Sequence, residues 1–212
     1  MVIDKKCKRC RRAGEKLFLK GERCFTPKCA FERKPYPPGK GGTRRRARRS
    51  GTGYGLQLRE KQKVKNIYRV DERQFSSYVK EATASRNTKP TEKLYQNLEM
   101  RLDNVVFRMG LAFSRSIARQ MVTHGHVTVN GRRVNIPSRR MKSGDVVGIR
   151  PASKDNGLFN EVASNMTKQQ SIPWLQVDIK KLQGTVSGYP KNDKDKGDDM
   201  FDLTSVIEFY SR

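Results

Sequence analysis

RLDNVVFRMGLAFSRSIARQMVTHGHVTVNGRRVNIPSRRMKSGDVVGIR, residues 101–150, carries a helical period followed by an alternating one. Leu102, Val105, Val106 and Met109 repeat at i, i+3, i+4 and i+7, which predicts a helix with one apolar face. Gly110 ends it. Ser114 is the expected N-cap of a second helix, with Ile117, Ala118, Met121 and Val122 as its inward stripe and Gly125 as the left-handed residue beyond its end. Arg115 and Arg119, four apart, lie together beside that stripe.

After Gly125 the period becomes two. Val127 and Val129 point one way, while His126, Thr128 and Asn130 point the other, which predicts a strand. Asn130-Gly131 accepts positive φ at both turn positions, so a hairpin to Arg132–Ile136 is expected. Ser143-Gly144-Asp145 makes the next turn, and Val146–Ile149 closes a small sheet. With the apolar groups inward, Arg115, Arg119, His124, His126, Arg132 and Arg133 line an outer surface, with Asn130 at the hairpin tip. These are the candidate contact residues of the module.

Arg101-Leu102-Asp103, Ser114-Arg115, Gly125-His126, Val129-Asn130-Gly131 and Gly144-Asp145 resemble the small RNA-binding domain named after small-subunit ribosomal protein four. Outside the module, Tyr54 to Val64, Pro173-Trp174-Leu175 and Glu208 to Arg212 are similar to the bacterial form of that protein family, so the likeness covers nearly the whole chain. It implies an α+β fold: a helical subdomain, an inserted helix-helix-hairpin RNA-binding module, and an N-terminal zinc-clamped basic arm. The expected divisions are the arm at 1–50, the first helical part at 51–100, the module at 101–150, and a segment at 151–212 that returns to the helical subdomain. The resemblance also implies a function. A member would be a primary binder of a multi-helix junction in the 5′ part of small-subunit rRNA, nucleate assembly of the subunit body, and affect translational accuracy. Its partners would be ribosomal proteins five and twelve of the small subunit and messenger RNA near the entry channel, with no small-molecule substrate. It would reside in the cytoplasm, in the ribosome.

Composition points the same way independently. The 212 residues hold 46 Lys and Arg against 21 Asp and Glu, a net charge of +25, which calls for a polyanionic partner. Membrane binding is disfavoured, since no stretch approaches the ~20 apolar residues of a spanning helix and the basic runs lack apolar anchors. The charge is also uneven. Residues 1–70 hold 23 basic against 5 acidic residues, residues 71–150 hold 15 against 7, and residues 151–212 hold 8 against 9. The front and middle are therefore expected to face RNA, and the end to face protein or solvent.

Cys7-x2-Cys10 and Cys24-x4-Cys29 are all the cysteines of the chain. Two such pairs suit tetrahedral zinc, each spanning one edge of the tetrahedron. Two disulfides or four free thiols are the alternatives. No secretory signal is visible, which disfavours disulfides, and the neighbouring Lys5, Lys6, Lys8, Arg9, Arg11 and Arg12 favour thiolates. The spacing also matches the cysteine-bearing members of the family, although other members lack these cysteines. One zinc on four protein thiolates would be a structural clamp that replaces a core this segment cannot build.

Residues 35–55 are rich in Pro, Gly and Arg. Arg44, Arg45, Arg46, Arg48 and Arg49 are expected to order against phosphate, the alternative being a disordered basic tail. Gly39-Lys40-Gly41-Gly42 lacks the spacing and the Lys-Ser or Lys-Thr of a phosphate loop. A helix is expected over 56–70, with Leu56, Val64, Ile67 and Tyr68 inward. On its remaining surface Arg59, Lys61, Lys63 and Lys65 have few acids nearby, which favours phosphate contact.

Asp71 predicts the cap of a helix with Phe75, Tyr78, Val79 and Ala82 inward, and Thr91 that of a long helix carrying Leu94, Leu98, Leu102 and Val105. Beyond Pro151 a helix is expected over 157–169, with Trp174 as a packing anchor. Val206, Ile207, Phe209 and Tyr210 are too apolar for a free tail and should dock. Only one enzymatic reading has a foothold: Arg101-Leu102-Asp103 is similar to the Arg-Leu-Asp of pseudouridine synthases. The triplet lies inside the module's first helix, however, and the 62 residues after Arg150 are too few for a catalytic domain. Arg140-Met141-Lys142-Ser143 imitates only part of a synthetase nucleotide signature. The sequence is therefore read as that of a binding protein and not an enzyme.

Overall fold

The computed structural model describes residues 5–39, 52–153, 157–159, 162, 166–167, 172–191 and 202–212. In chain order its helices are α1 (Lys6–Ala13), α2 (Ala30–Arg33), α3 (Gly53–Tyr68), α4 (Glu72–Ala84), α5 (Pro90–Glu99), α6 (Leu102–Arg108), α7 (Arg115–Thr123) and α8 (Leu203–Tyr210). The strands are β1 (Val127–Val129), β2 (Arg132–Arg133), β3 (Val146–Ile149), β4 (Leu175–Asp178) and β5 (Gln183–Val186). Two units result, one from Met1–Leu94 with Asp193–Arg212 and the other from Tyr95–Asn192.

In the first unit, α3 begins where the Thr52 hydroxyl accepts the Gly55 N–H and ends at Arg69 in the left-handed region. Asp71 stands at the N-cap of α4 as expected, but its side chain makes no capping bond. Val64, Ile67, Tyr68, Phe75, Tyr78, Val79 and Ala82 are buried as their spacing predicts. Leu56, expected to face inward, is 49% exposed, because it falls in the first turn of α3. The tail docks through α8. Asp202 caps it by accepting from the N–H groups of Thr204 and Ser205, Leu203 and Val206 are buried, and the rings of Phe75 and Tyr210 lie 6.1 Å apart.

A polar clasp completes that docking. Glu72 accepts hydrogen bonds from Lys61, Lys65 and Tyr210, each at 2.7 Å. Burial opposes ionisation of Glu72, but the bonds from Lys61, Lys65 and Tyr210 outweigh it and hold the carboxyl at about 2, below its ordinary 4.5. A depressed carboxyl stabilises the fold fully above the unfolded value and loses that contribution as pH falls toward 2. Glu72→Gln should therefore melt below the wild type at pH 6, with the gap closing between pH 4.5 and 2. The Glu72 side chain is 44% exposed, so solvent screening keeps the gap to about 1 kcal/mol or less. A gap that stays constant over that range would show that the carboxylate charge contributes nothing.

The second unit is a five-stranded antiparallel sheet in the order β2-β1-β3-β5-β4, with α6 and α7 supplying its helical core. Asn130 and Gly131, at φ +51 and +77, form the expected hairpin turn, pairing Thr128 with Arg133 and Val129 with Arg132. Ser114 caps α7 through the Ile117 N–H, and Gly125 takes φ +75. Leu102, Val105, Val106, Met109, Ala118, Val122 and Val127 all have 0% exposure, each such burial contributing about 1.5 to 3 kcal/mol for the larger side chains. Trp174 joins this core as an anchor.

Two expectations are corrected. The single long helix over Leu94–Val105 is two helices, because Arg101 is extended (φ −73, ψ 139) and bridges Arg140. The Leu102 and Asp103 N–H groups then donate to the Arg139 and Pro137 carbonyls at 2.9 and 3.1 Å. Secondly, the module does not stop at Arg150. β5 pairs with β3 and β4 with β5, so much of the segment assigned to the helical subdomain belongs to the sheet. Of the helix expected over 157–169, Gly157–Phe159 form a 3-10 turn and Val162, Met166 and Thr167 are helical, and the other residues lie outside the described ones.

Candidate nucleic-acid interface

The cationic face of the second unit rests on two buried carboxylates. Arg101, with 0% exposure, is bound in a fork by Asp103, through Nε to Oδ1 at 3.0 Å and Nη2 to Oδ2 at 2.8 Å. Arg119 Nη1 lies 3.7 Å from the same Asp103 carboxylate. Glu99, also at 0% exposure, takes a second fork from Arg108 at 2.8 and 3.0 Å and a bond from Asn104 at 2.9 Å. Arg115 donates Nε to Asn104 Oδ1 at 2.8 Å, sits 4.5 Å over the Phe107 ring, and has Nη2 3.9 Å from Glu99. The Arg115 and Arg119 side chains keep only 20% and 25% exposure. A planar guanidinium fixed on one edge in this way has its direction set before any ligand arrives.

The outer part of the face is different. Arg132 and Arg133 are exposed on the two-residue edge strand β2, and His124 is exposed as well. Arg133 folds back over Gly125, where a Cβ would collide with its guanidinium, and donates to the His124 carbonyl at 3.4 Å. The ring of His126 is half-buried, with Nδ1 3.1 Å from the Ser153 hydroxyl and Phe159 at its edge. Asn130 is a bracket for the sheet. Its amide donates to Asp145 and its oxygen accepts the Val146 N–H, both at 2.8 Å. Arg139, Arg140 and Lys142 are exposed nearby in sequence and extend the set of surface cations. Arg139-Arg140 is a visible basic pair in the sequence, but it lies beyond the hairpin that the alternating pattern marks. The positioning residues Glu99, Asn104 and Arg108 carried no such signal, because Glu99 and Arg108 lie nine apart on different helices.

In the first unit the premise that acids are too few for α3 is corrected. Lys61 and Lys63 are buried. Lys61 pairs with Glu72 and stands 4.6 Å over the Phe209 ring, Lys63 pairs with Glu15 and Glu60 at 2.7 and 2.6 Å, and Lys65 pairs with Glu72. Glu15 and Glu72 come from outside the helix, so a count of local charges did not find them. Burial works against the Lys63 ammonium, but its bonds to Glu15 and Glu60 raise its pKa above the ordinary value. Arg59 is exposed. Arg44, Arg45, Arg46, Arg48 and Arg49 lie outside the described residues.

The four cysteines come from α1, the 3-10 turn Gly21–Cys24 and the N-cap of α2. All are free thiols; Cys10, Cys24 and Cys29 are buried and Cys7 is half-buried. Burial pushes the Cys10 and Cys24 thiols up, while backbone hydrogen bonds from Leu17 and Leu19 to Cys10, and from Lys20 to Cys24, favour their thiolates. Among the described residues no three His, Cys, Asp or Glu side chains are drawn into a metal cage. Among the same residues no helix is long and apolar enough to cross a membrane.

Comparison with known proteins covers both units. Residues 2–99 match the family described as the ribosomal protein S4/S9 N-terminal domain, and residues 100–147 match the S4 domain. Over 206 residues the chain is 50% identical to the small ribosomal subunit protein uS4 of Thermotoga petrophila, covering 97% of this chain and 96% of the relative. The protein of the same name from Syntrophomonas wolfei is 43% identical over 209 residues, covering 99% and 98%. That from Heliobacterium modesticaldum is 45% identical over 206 residues.

Proposed function

Because this chain belongs to the small ribosomal subunit protein uS4 family, we propose that it is a structural, rRNA-binding constituent of the small ribosomal subunit. The observation that carries the reading is the set of cations in the second unit, where Arg132 and Arg133 stand exposed on β2 and the Arg115 and Arg119 side chains, oriented by Glu99 and Asp103, keep 20% and 25% exposure. Guanidinium donors left open to solvent suit phosphate oxygens, and a surface of this kind recognises RNA by backbone and shape. In its finer form, the protein binds a junction in the 5′ part of the rRNA early in assembly, nucleates the subunit body and supports accurate decoding. It then contacts ribosomal proteins five and twelve and messenger RNA near the entry channel. Chemical footprinting of small-subunit rRNA with and without the purified chain tests this. Protection clustered in the 5′ part is expected, and protection spread evenly along the rRNA would overturn the finer form.

Zinc on Cys7, Cys10, Cys24 and Cys29 is a second part of the proposal. Four thiols without an open position would give the ion a structural role, tying α1 to the start of α2. The burial of three of the thiols, and the backbone N–H groups directed at Cys10 and Cys24, support this. Metal analysis of protein purified under reducing conditions should find about one zinc per chain, and its removal should loosen the arm. Metal-free protein with an unchanged melting profile would sink the idea.

A further inference from the structure

We propose that Phe25 is a stacking platform for one unpaired nucleobase of the RNA, an inference that rests on the rRNA-binding reading. Phe25 is 74% exposed, more than any other large hydrophobic side chain described. One face of its ring is covered by Phe18, with centroids 4.9 Å apart and planes 23° from parallel. The opposite face is therefore open to a flat partner.

Both rings are held in place by the backbone. Phe18 lies at φ +47, a conformation that costs a bulky residue free energy, and buried Leu17 and Leu19 on either side enforce it. Phe25 directly follows buried Cys24 and donates its N–H to the Glu22 carbonyl at 2.9 Å, while the Thr26 hydroxyl donates to the Arg23 carbonyl at 3.1 Å. The surrounding side chains choose the ligand. Lys20, Arg23 and Lys28 are exposed within five residues of Phe25, with Glu22 the one exposed acid among them. An exposed aromatic face with exposed cations close to it in sequence matches a base with its phosphates. An apolar protein surface would call for a wider patch with fewer charges.

The test uses the full chain and transcribed small-subunit rRNA, with affinity measured across a salt series. Phe25→Ala and Phe25→Leu should each weaken binding by about 5- to 150-fold, because both remove the π face. Phe25→Trp should retain wild-type affinity. The log–log salt slope should be the same in all variants, since no phosphate contact is lost. Wild-type affinity in Phe25→Ala would overturn the proposal. So would wild-type affinity in Phe25→Leu with loss in Phe25→Ala, which would mark a purely apolar contact. Thermal melting of each variant, expected to match the wild type because the side chain is exposed, separates lost stacking from lost fold. Failure of the wild-type chain to bind the rRNA at all would overturn the functional reading itself, an outcome distinct from unchanged binding in the Phe25 variants.

Discussion

Asp103→Ala is expected to destabilise the unit formed by residues 95–192 by about 3 to 5 kcal/mol, the cost of leaving a buried charge without its partner. The partner is Arg101, whose side chain has no exposure and whose Nε and Nη2 are both engaged by the carboxylate. Arg119 loses a carboxylate 3.7 Å from its Nη1 in the same substitution, so its direction at the surface should relax as well. Denaturant unfolding followed through Trp174, which is buried in that unit's core, reports the loss directly. Replacing both partners, Arg101→Met with Asp103→Leu, should recover much of it, since an apolar pair of similar volume avoids the desolvation of both charges. A loss below about 1 kcal/mol for Asp103→Ala would mean that water reaches the guanidinium and the pair is a surface one. The same geometry gives the Arg101-Leu102-Asp103 triplet a structural employment. Its carboxylate, 4% exposed and locked in a fork, is held as a strut of the module.

How far the sequence could be read depended on whether each signal was local. The Asn130-Gly131 turn, the Ser114 cap and the stripe of Ala118, Met121 and Val122 are each fixed within a few residues, and each stands where its spacing placed it. The break at Arg101 was invisible because Leu98 and Leu102 stay in phase across it. What ends α5 is the distant carbonyls of Pro137 and Arg139. Strands β4 and β5 were missed for a related reason. Their turn carries no Asn-Gly, is closed by Leu182 at φ +52, and is capped by Asp178 accepting from the N–H groups of Lys180 and Lys181. Gly184, which reads as a weak point in a strand, is needed there because a Cβ would press on the Met109 side chain at 2.6 Å and the Gln176 carbonyl at 3.2 Å. The candidate site divides in the same way. Cations could be counted from the sequence, but which of them are already paired depends on acids far along the chain.

That division leads to an expected contrast between two sets of cations that the sequence alone treats as equals. Arg44, Arg45, Arg46, Arg48 and Arg49 fall in a stretch, residues 35–55, that contains no Asp or Glu. Lys61 and Lys63 are buried against Glu72, Glu15 and Glu60. Counterion release rewards only cations that meet phosphate, at roughly 0.7 to 0.9 in log–log slope for each contact. Changing the five arginines to Gln should therefore lower the slope for rRNA binding by up to about 3.5 to 4.5. Over a rise from 50 to 200 mM salt, the variant should then lose affinity by up to about 130- to 500-fold less than the wild type does. Its melting temperature should stay unchanged. Lys61→Gln with Lys63→Gln should do the reverse, keeping the salt slope and lowering the melting temperature, because the change at Lys63 takes the ammonium from Glu15 and Glu60, and that at Lys61 removes one of the three donors to Glu72 and a cation from the Phe209 ring. An equal fall in slope for the two sets, with both variants folded, would mean that the lysine pairs open on RNA and that internal pairing does not decide which cations bind.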